Sequence, residues 1–289
     1  MAAAWMLLAG LLFTLMGVCA KEASSHFNAS ELVLYRGVVS ALFMGSLAQV
    51  KGISLKTRRV GMHAWRSFVG VISLAAWFYA IVHLPLATAT TLNYMSSVWV
   101  GAIVVGGAMV MRPATAWQKQ VPMLLAVLAG FSGALMVLRP TIEANQAFAG
   151  LIGLMSGFVA AFAYLQVKSL AEVGEPEERT VFWFSVGTVV GGLGGVAING
   201  FSAWAGWHSL WLLPVGLLAS LGQLCMTRAY SKGATLLVAN LQYSGIIYAA
   251  VFGWLWFGED IPLLGWVGMA VIVASGIISS VLRHRLFKP

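Results

Sequence analysis

Hydrophobic residues run in long blocks separated by short polar stretches, and ten of these blocks reach helical length. They fall at roughly 3–20, 31–49, 66–83, 87–110, 119–138, 149–168, 180–199, 209–229, 233–257 and 263–282. A helix needs about 20 apolar residues to cross a hydrocarbon core ~30 Å thick. Backbone polar groups must be satisfied internally in lipid, so helices and closed barrels are the candidates, and the alternating pattern of barrel strands is absent. The pattern therefore predicts an all-α integral membrane protein with ten transmembrane helices. These helices use nearly the whole chain and leave no room for a soluble domain. The stretch Met1 to Ala20 has the apolar length of a signal peptide but no basic start, and many spans follow it, so it reads as the first membrane helix.

Composition agrees: 60% of the 289 residues are hydrophobic and 9% charged, with mean hydropathy +0.87. A soluble domain carries about 25% charged residues. The formal charge of +8 would suggest nucleic acid in a soluble protein. Here the basic residues lie between spans, so topology explains them and no nucleic-acid partner is expected. Cys19 and Cys225 both sit inside apolar blocks, without the spacing of a metal site or a disulfide framework. No cofactor is expected; the expected partners are the lipid bilayer and a small-molecule substrate.

Charge placement predicts orientation. With the N-terminus cytoplasmic, Lys51, Lys56, Arg58, Arg59, Arg66, Arg112, Lys119, Lys168, Arg179, Arg228, Lys232, Arg283, Arg285 and Lys288 all fall inside. Lys21 and Arg139 remain outside, and Arg36 lies within a span. The positive-inside rule then predicts both termini to be cytoplasmic.

The chain also matches itself. At an offset of 149, Ala80/Ala229, Leu92/Leu241, Tyr94/Tyr243, Pro113/Pro262 and Trp117/Trp266 coincide, with the polar pairs Thr91/Asn240 and Asn93/Gln242 just before the shared tyrosine. At an offset of 147, Leu7/Leu154, Gly10/Gly157, Lys21/Lys168 and Glu31/Glu178 coincide. Residues 1–140 and 147–289 thus read as two copies of a five-helix unit. An odd number of spans per copy makes the second enter from the opposite side, and inverted repeats are a signature of secondary transporters.

Two five-helix halves, the arginine early in the second span (Arg36), and the stretches ATATTLNYMSSVWVGAIVVG and GATLLVANLQYSGIIYAAVFGWLWFGEDIP resemble the bacterial drug/metabolite transporter superfamily. More narrowly, they resemble paired EamA domains. The most specific piece is FGE ending at Glu259, followed by Pro262; the first copy departs from it with Val110 and Met111 where the second has Glu259 and Asp260. The resemblance implies export of amino acids, aromatic ones included, or movement of other small metabolites.

Polar residues inside spans should face the bundle interior or a watery cavity. Ser220, Gln223, Thr227 and Tyr230 share one face of the eighth span; Asn240, Ser244 and Tyr248 share one of the ninth, with Tyr243 adjacent. Asn93, Ser97 and Gly101 line up on the fourth, flanked by Tyr94 and Trp99; the third carries Ser73, Trp77 and Tyr79, and the sixth Ser156, Ala160 and Tyr164. As a site, these faces give aromatic walls for an apolar side chain and amides for a polar head group. As structure, the same amides tie helices together. Arg36 either holds a substrate carboxylate, or reaches the outer surface, or pairs with Glu31. No Asp or Glu falls in mid-span, which predicts facilitated transport or exchange rather than proton coupling. Gly187, Gly191 and Gly195 favour close helix packing within the chain or across a dimer, leaving monomer and homodimer open.

An embedded enzyme would need a nucleophile with its base, a metal cluster or paired carboxylates. No H-E-x-x-H, D-x-x-x-D or G-x-S-x-G motif occurs. Taken with the aromatic faces and Arg36, the resemblance implies a bacterial inner-membrane exporter of small metabolites working by alternating access, with large apolar or aromatic amino acids as the first cargo and another metabolite or a drug-like cation as the second.

Overall fold

The computed structural model describes residues 2–84, 86–111, 121–138, 146–203, 206–257 and 262–286. Helices α1 (Ala2–Ala23), α2 (Ala29–Val50) and α3 (Val60–His83) come first. Next are the broken pair α4 (Leu86–Tyr94) and α5 (Ser96–Met111), and then α6 (Val121–Leu138). The same order follows again: α7 (Ala147–Glu172), α8 (Glu177–Asn199), a 3-10 turn at Gly206–Trp211 leading into α9 (Leu212–Lys232), the broken pair α10 (Thr235–Leu241) and α11 (Ser244–Phe257), and α12 (Leu263–Leu286). With each broken pair counted once, the described residues form ten helical spans and no strand. Seven described stretches are long and apolar enough to cross a membrane.

Local sequence sets several helix ends. Asn28 and Glu31 make a capping box on α2: Glu31 N donates to Asn28 Oδ1 (3.1 Å) and Asn28 N donates to Glu31 Oε2 (2.9 Å). Gly174, at φ +81°, takes the left-handed conformation needed at the tight turn from α7 to α8. Glu177 and Glu178 then fill the first turn of α8, where a helix N-terminus favours negative charge. Lys21 Nζ donates to Ile81 O (2.7 Å) at the end of α3, and Lys168 Nζ reaches Ser231 O (3.5 Å) near the end of α9.

The principal seams pair α2 with α8, α1 with α9, α3 with α7 and α6 with α12. Glycines make the tightest of these possible. A Cβ on Gly192 would lie 2.5 Å from Leu34 Cα, and one on Gly37 would lie 2.7 Å from Val189 N. Gly187 abuts Ser67, Gly191 abuts Val71 and Gly195 abuts Ser30, so the glycine series of α8 serves packing against α3 and α2.

The two helix interruptions are each pressed by a glycine from elsewhere. Gly157 of α7 bears on the α4–α5 break, where a Cβ would meet Asn93 O at 3.0 Å and Ser96 N at 3.2 Å. Gly10 of α1 bears on the α10–α11 break, where a Cβ would meet Ser244 Oγ at 2.9 Å and Gly245 N at 3.2 Å. At the second break the backbone tightens to three-residue hydrogen bonds, Tyr243 N to Asn240 O (3.2 Å) and Ile246 N to Tyr243 O (3.0 Å).

Three boundaries differ from the hydropathy reading. The third span begins at Val60 rather than 66, and the fourth and ninth are each broken at their centre rather than continuous. The FGE turn at Glu259 and Asp260 and its counterpart region at Pro113 and Trp117 lie outside the described residues.

Candidate functional site

A cavity with about 860 Å³ of empty space, its mouth included, opens among α1, α2, α3, α7, α8 and α9 beside both helix breaks. Its mainly apolar wall with a few polar groups suits a small molecule. Phe13, Leu74, Trp77, Tyr94, Tyr164 and Phe184 are the large side chains of that wall, with Met16. The polar groups are Thr14, Arg36, Arg66, Ser73, Thr90, Asn93, Gln223 and Gln242.

Each break delivers a polar residue. Asn93, at the end of α4, donates from Nδ2 to Ser156 Oγ (3.1 Å), and Ser156 Oγ in turn donates to Gly153 O (2.6 Å). Gln242, in the α10–α11 break, donates from Nε2 to Tyr164 Oη (3.3 Å). Thr14 Oγ1 lies 2.9 Å from both Gly10 O and Gly245 O, so α1 is tied to the second break.

Two arginines dominate the electrostatics. Arg36 on α2 and Arg66 on α3 are each 2% exposed, and both guanidinium groups lie over the ring of Phe184, with Cζ 5.5 Å and 4.1 Å from its centroid. Arg66 Nη2 donates to Gln223 Oε1 (3.3 Å). Arg66 Nε and Nη1 and Arg36 Nε are buried without a hydrogen-bond partner. Gly70 leaves room for the Arg66 head group, since a Cβ there would collide with Nη1 and lie 2.7 Å from Phe184 Cε2. Among the described residues, no carboxylate lines the cavity. Glu31 is engaged elsewhere: besides capping α2 it accepts from Ser202 N (2.9 Å) and Ser202 Oγ (2.5 Å). The Arg36–Glu31 pair therefore does not form.

Of the residues singled out from the span faces, Arg36, Ser73, Trp77, Asn93, Tyr94, Ala160, Tyr164 and Gln223 meet at the cavity wall. The others lie elsewhere. Tyr79 stacks on His83 at 4.1 Å, and Trp99 packs edge-on against Phe158. Ser97 donates to Ala239 O (2.7 Å), joining α5 to α10. Asn240 Nδ2 donates to Ser275 O (2.9 Å) and Ser279 Oγ (2.7 Å), joining α10 to α12. Tyr243 is fully buried in a cluster with Val127 and Ile246, Ser244 is buried beside Gly10, and Tyr248 is partly buried outside the wall.

Sequence reasoning missed Arg66 and Phe184 as wall residues; of Gln242 and Tyr243, expected from the repeat as the wall opposite Asn93 and Tyr94, Gln242 lines the cavity and Tyr243 does not. Arg66 marked the supposed boundary of the third span, yet α3 starts six residues earlier and carries it inside.

The profile of EamA-like transporters matches residues 1–139 and again 147–281. The chain belongs to the EamA-like transporter family. It is a multi-pass membrane protein that transports small molecules, and not an enzyme. This EamA chain is 31% identical over 282 residues to the pseudopaline exporter CntI of Pseudomonas aeruginosa, covering 94% of the chain and 93% of that relative. It is 27% identical over 284 residues to a riboflavin transporter of Vibrio cholerae, covering 94% and 90%. An uncharacterised transporter of Helicobacter pylori is 26% identical over 283 residues, covering 94% and 92%. A protein of known crystal structure superposes with TM-score 0.79 over 99% of both chains at 16% identity, a likeness of fold.

Proposed function

We propose that this EamA transporter exports a carboxylate-bearing metabolite with a large apolar or aromatic portion, amino acids of that type being the first candidates. The observation that carries this reading is the joining of an aromatic wall with an arginine free of protein carboxylates in one cavity. Arg36 holds the carboxylate, Trp77, Tyr94 and Tyr164 hold the apolar portion, and Asn93 and Gln223 supply hydrogen bonds. A drug-like cation fits poorly, because two buried guanidinium groups would repel it.

Transport proceeds by alternating access between two inverted five-helix repeats, residues 1–140 and 147–289, with both termini on the cytoplasmic side of a bacterial inner membrane. The double match of the family profile supports the repeat. So does the exchange of seams, α1 lying on α9 as α7 lies on α3. The residues aligned in sequence also do matching jobs: Gly10 and Gly157 each press on the break in the other half, and Lys21 and Lys168 each reach carbonyls near a helix end in their own half. A site at discontinuous helices between repeats is the arrangement of many carriers.

Counterflow in liposomes holding the purified full chain tests the reading. Preloaded unlabelled phenylalanine, tyrosine or leucine is expected to accelerate saturable uptake of the labelled amino acid, with no requirement for a pH gradient. Ethidium moving while no amino acid does would overturn the cargo; flux without counterflow would indicate a channel; uphill uptake driven by a pH gradient alone would overturn exchange.

A further inference from the structure

Arg36 alone accounts for one substrate carboxylate, and the cavity holds a second guanidinium. We infer that, within the carboxylate-bearing class, the cargo this cavity fits best is an organic dianion rather than a monocarboxylate amino acid, its two carboxylate-type groups engaging Arg36 and Arg66 together. The inference rests on reading the cavity as the cargo site. A guanidinium presents five N–H donors. Between them the two cavity arginines make one side-chain hydrogen bond to the protein, from Arg66 to Gln223. Burying a cation is costly unless it is paired and hydrogen-bonded. Here two like charges share one ring, Phe184, and so repel each other. The face of Phe184 offsets part of that cost, because a cation over an aromatic ring is attracted by its quadrupole. It offers no acceptor for the unpartnered N–H groups.

Carboxylates of the described residues are engaged elsewhere. Glu175, Glu177 and Glu178 pair with Arg179, Arg228 and Lys51, and Glu31 binds Asn28 and Ser202. One anionic group would leave one guanidinium unmatched, whereas two would match both. Arginine is suited to the task because its planar fork binds carboxylate in bidentate fashion. The apolar part of the dianion then lies on Trp77, Tyr94 and Tyr164.

The test compares phenylsuccinate with 3-phenylpropionate, which differ by one carboxylate, using calorimetric titration of the purified full chain. Phenylsuccinate should bind about tenfold more tightly or better, as expected for one added charge-assisted contact. Arg66→Gln and Arg36→Gln should each abolish that advantage. Without ligand both variants should keep or raise the melting temperature, which separates a ligand site from a structural cation. Equal affinities in the parent protein, or an advantage that survives Arg66→Gln, would overturn the dianion while leaving the cavity as the cargo site. Binding of neither acid, together with no effect of Trp77→Ala on amino-acid counterflow, would overturn the cargo site itself and the dianion with it.

Discussion

Arg66 and Arg228 make a controlled comparison. Each stacks on an aromatic ring, Arg66 over Phe184 at 4.1 Å and Arg228 over Trp5 at 4.9 Å. Arg228 also donates to Glu177 Oε2 (2.6 Å) and Glu178 Oε1 (3.3 Å), while Arg66 finds a single neutral amide. The paired arginine belongs to a cluster at one end of the bundle. There Lys51 donates to Glu178 (2.8 Å), Arg179 to Glu175 (2.9 Å) and Thr57 to Glu175 (2.8 Å). This cluster ties the segment after α2 and the end of α9 to the start of α8. Fold stability therefore does not require leaving a cation unmatched, since the same chain matches cations fully a few turns away. The unmatched pair is where we propose that the cargo binds.

Giving Arg66 a counter-ion breaks the comparison most directly. Gln223→Glu puts a carboxylate where the amide oxygen already sits, 3.3 Å from Nη2. An uncompensated buried charge costs several kcal/mol, so pairing it should stabilise the ligand-free protein by on the order of 2 kcal/mol. Transport of anionic cargo should fall about tenfold or more, because the new carboxylate both occupies Arg66 and repels the substrate. Melting temperature and counterflow rate, measured on one preparation, should move in opposite directions. If both fell, Arg66 would be a structural residue.

Removing a carboxylate from the paired cluster is the converse change. Glu178 accepts from both Lys51 and Arg228, and Glu178→Gln should cost about 1–3 kcal/mol of stability, the penalty for leaving partly buried donors poorly satisfied. The affinity for cargo should stay within about twofold, because surface and buried ion pairs far from a site act additively with it. Glu175 gives the same cluster a pH signature. Burial alone would raise its affinity for protons, but contacts from Thr57, Arg179 and His63 hold its carboxyl below the usual carboxylate range. A depressed folded value means that its stabilisation is full above the unfolded value and is lost as pH falls through the folded one. Thermal stability should thus decline in acid below the ordinary carboxylate range, and Glu175→Gln should flatten that part of the profile.

Much of the fold could be read from the sequence because span length and charge placement are local quantities. Arg36 stood out for the same reason, as a charge inside an apolar block. Arg66 did not, because Arg58 and Arg59 lower the local hydropathy and push the apparent start of the span to 66. Only its packing on Phe184, more than a hundred residues away, shows it to be interior. The helix breaks were hidden for a related reason. Neither Met95 nor Gln242 is a proline or glycine, and the glycines that crowd those breaks, Gly157 and Gly10, belong to other helices. The stripe Asn240, Ser244, Tyr248 assumed one continuous helix. The break between Leu241 and Ser244 turns its members to different neighbours.

Asn240 supplies the mildest test, since it separates a polar residue that joins helices from one that lines the cavity. It is 2% exposed and donates to Ser275 O and Ser279 Oγ, and no wall residue of the cavity is among its partners. Hydrogen bonds between membrane helices average about 0.6 kcal/mol, because alternative partners exist in the unfolded state. Asn240→Ala should therefore lower stability by about 1 kcal/mol and leave cargo affinity unchanged. Gln223→Ala removes the only side-chain acceptor of Arg66 among the described residues; it should lower the stability of the ligand-free protein by about 1.5–3 kcal/mol, the worth of a hydrogen bond to a charged group, and weaken binding several-fold because the ligand must position the cation unaided. If Asn240→Ala weakened binding as much as Gln223→Ala, the α10–α12 seam would move with the cargo, and the division between matched structural polar groups and unmatched cavity groups would fail.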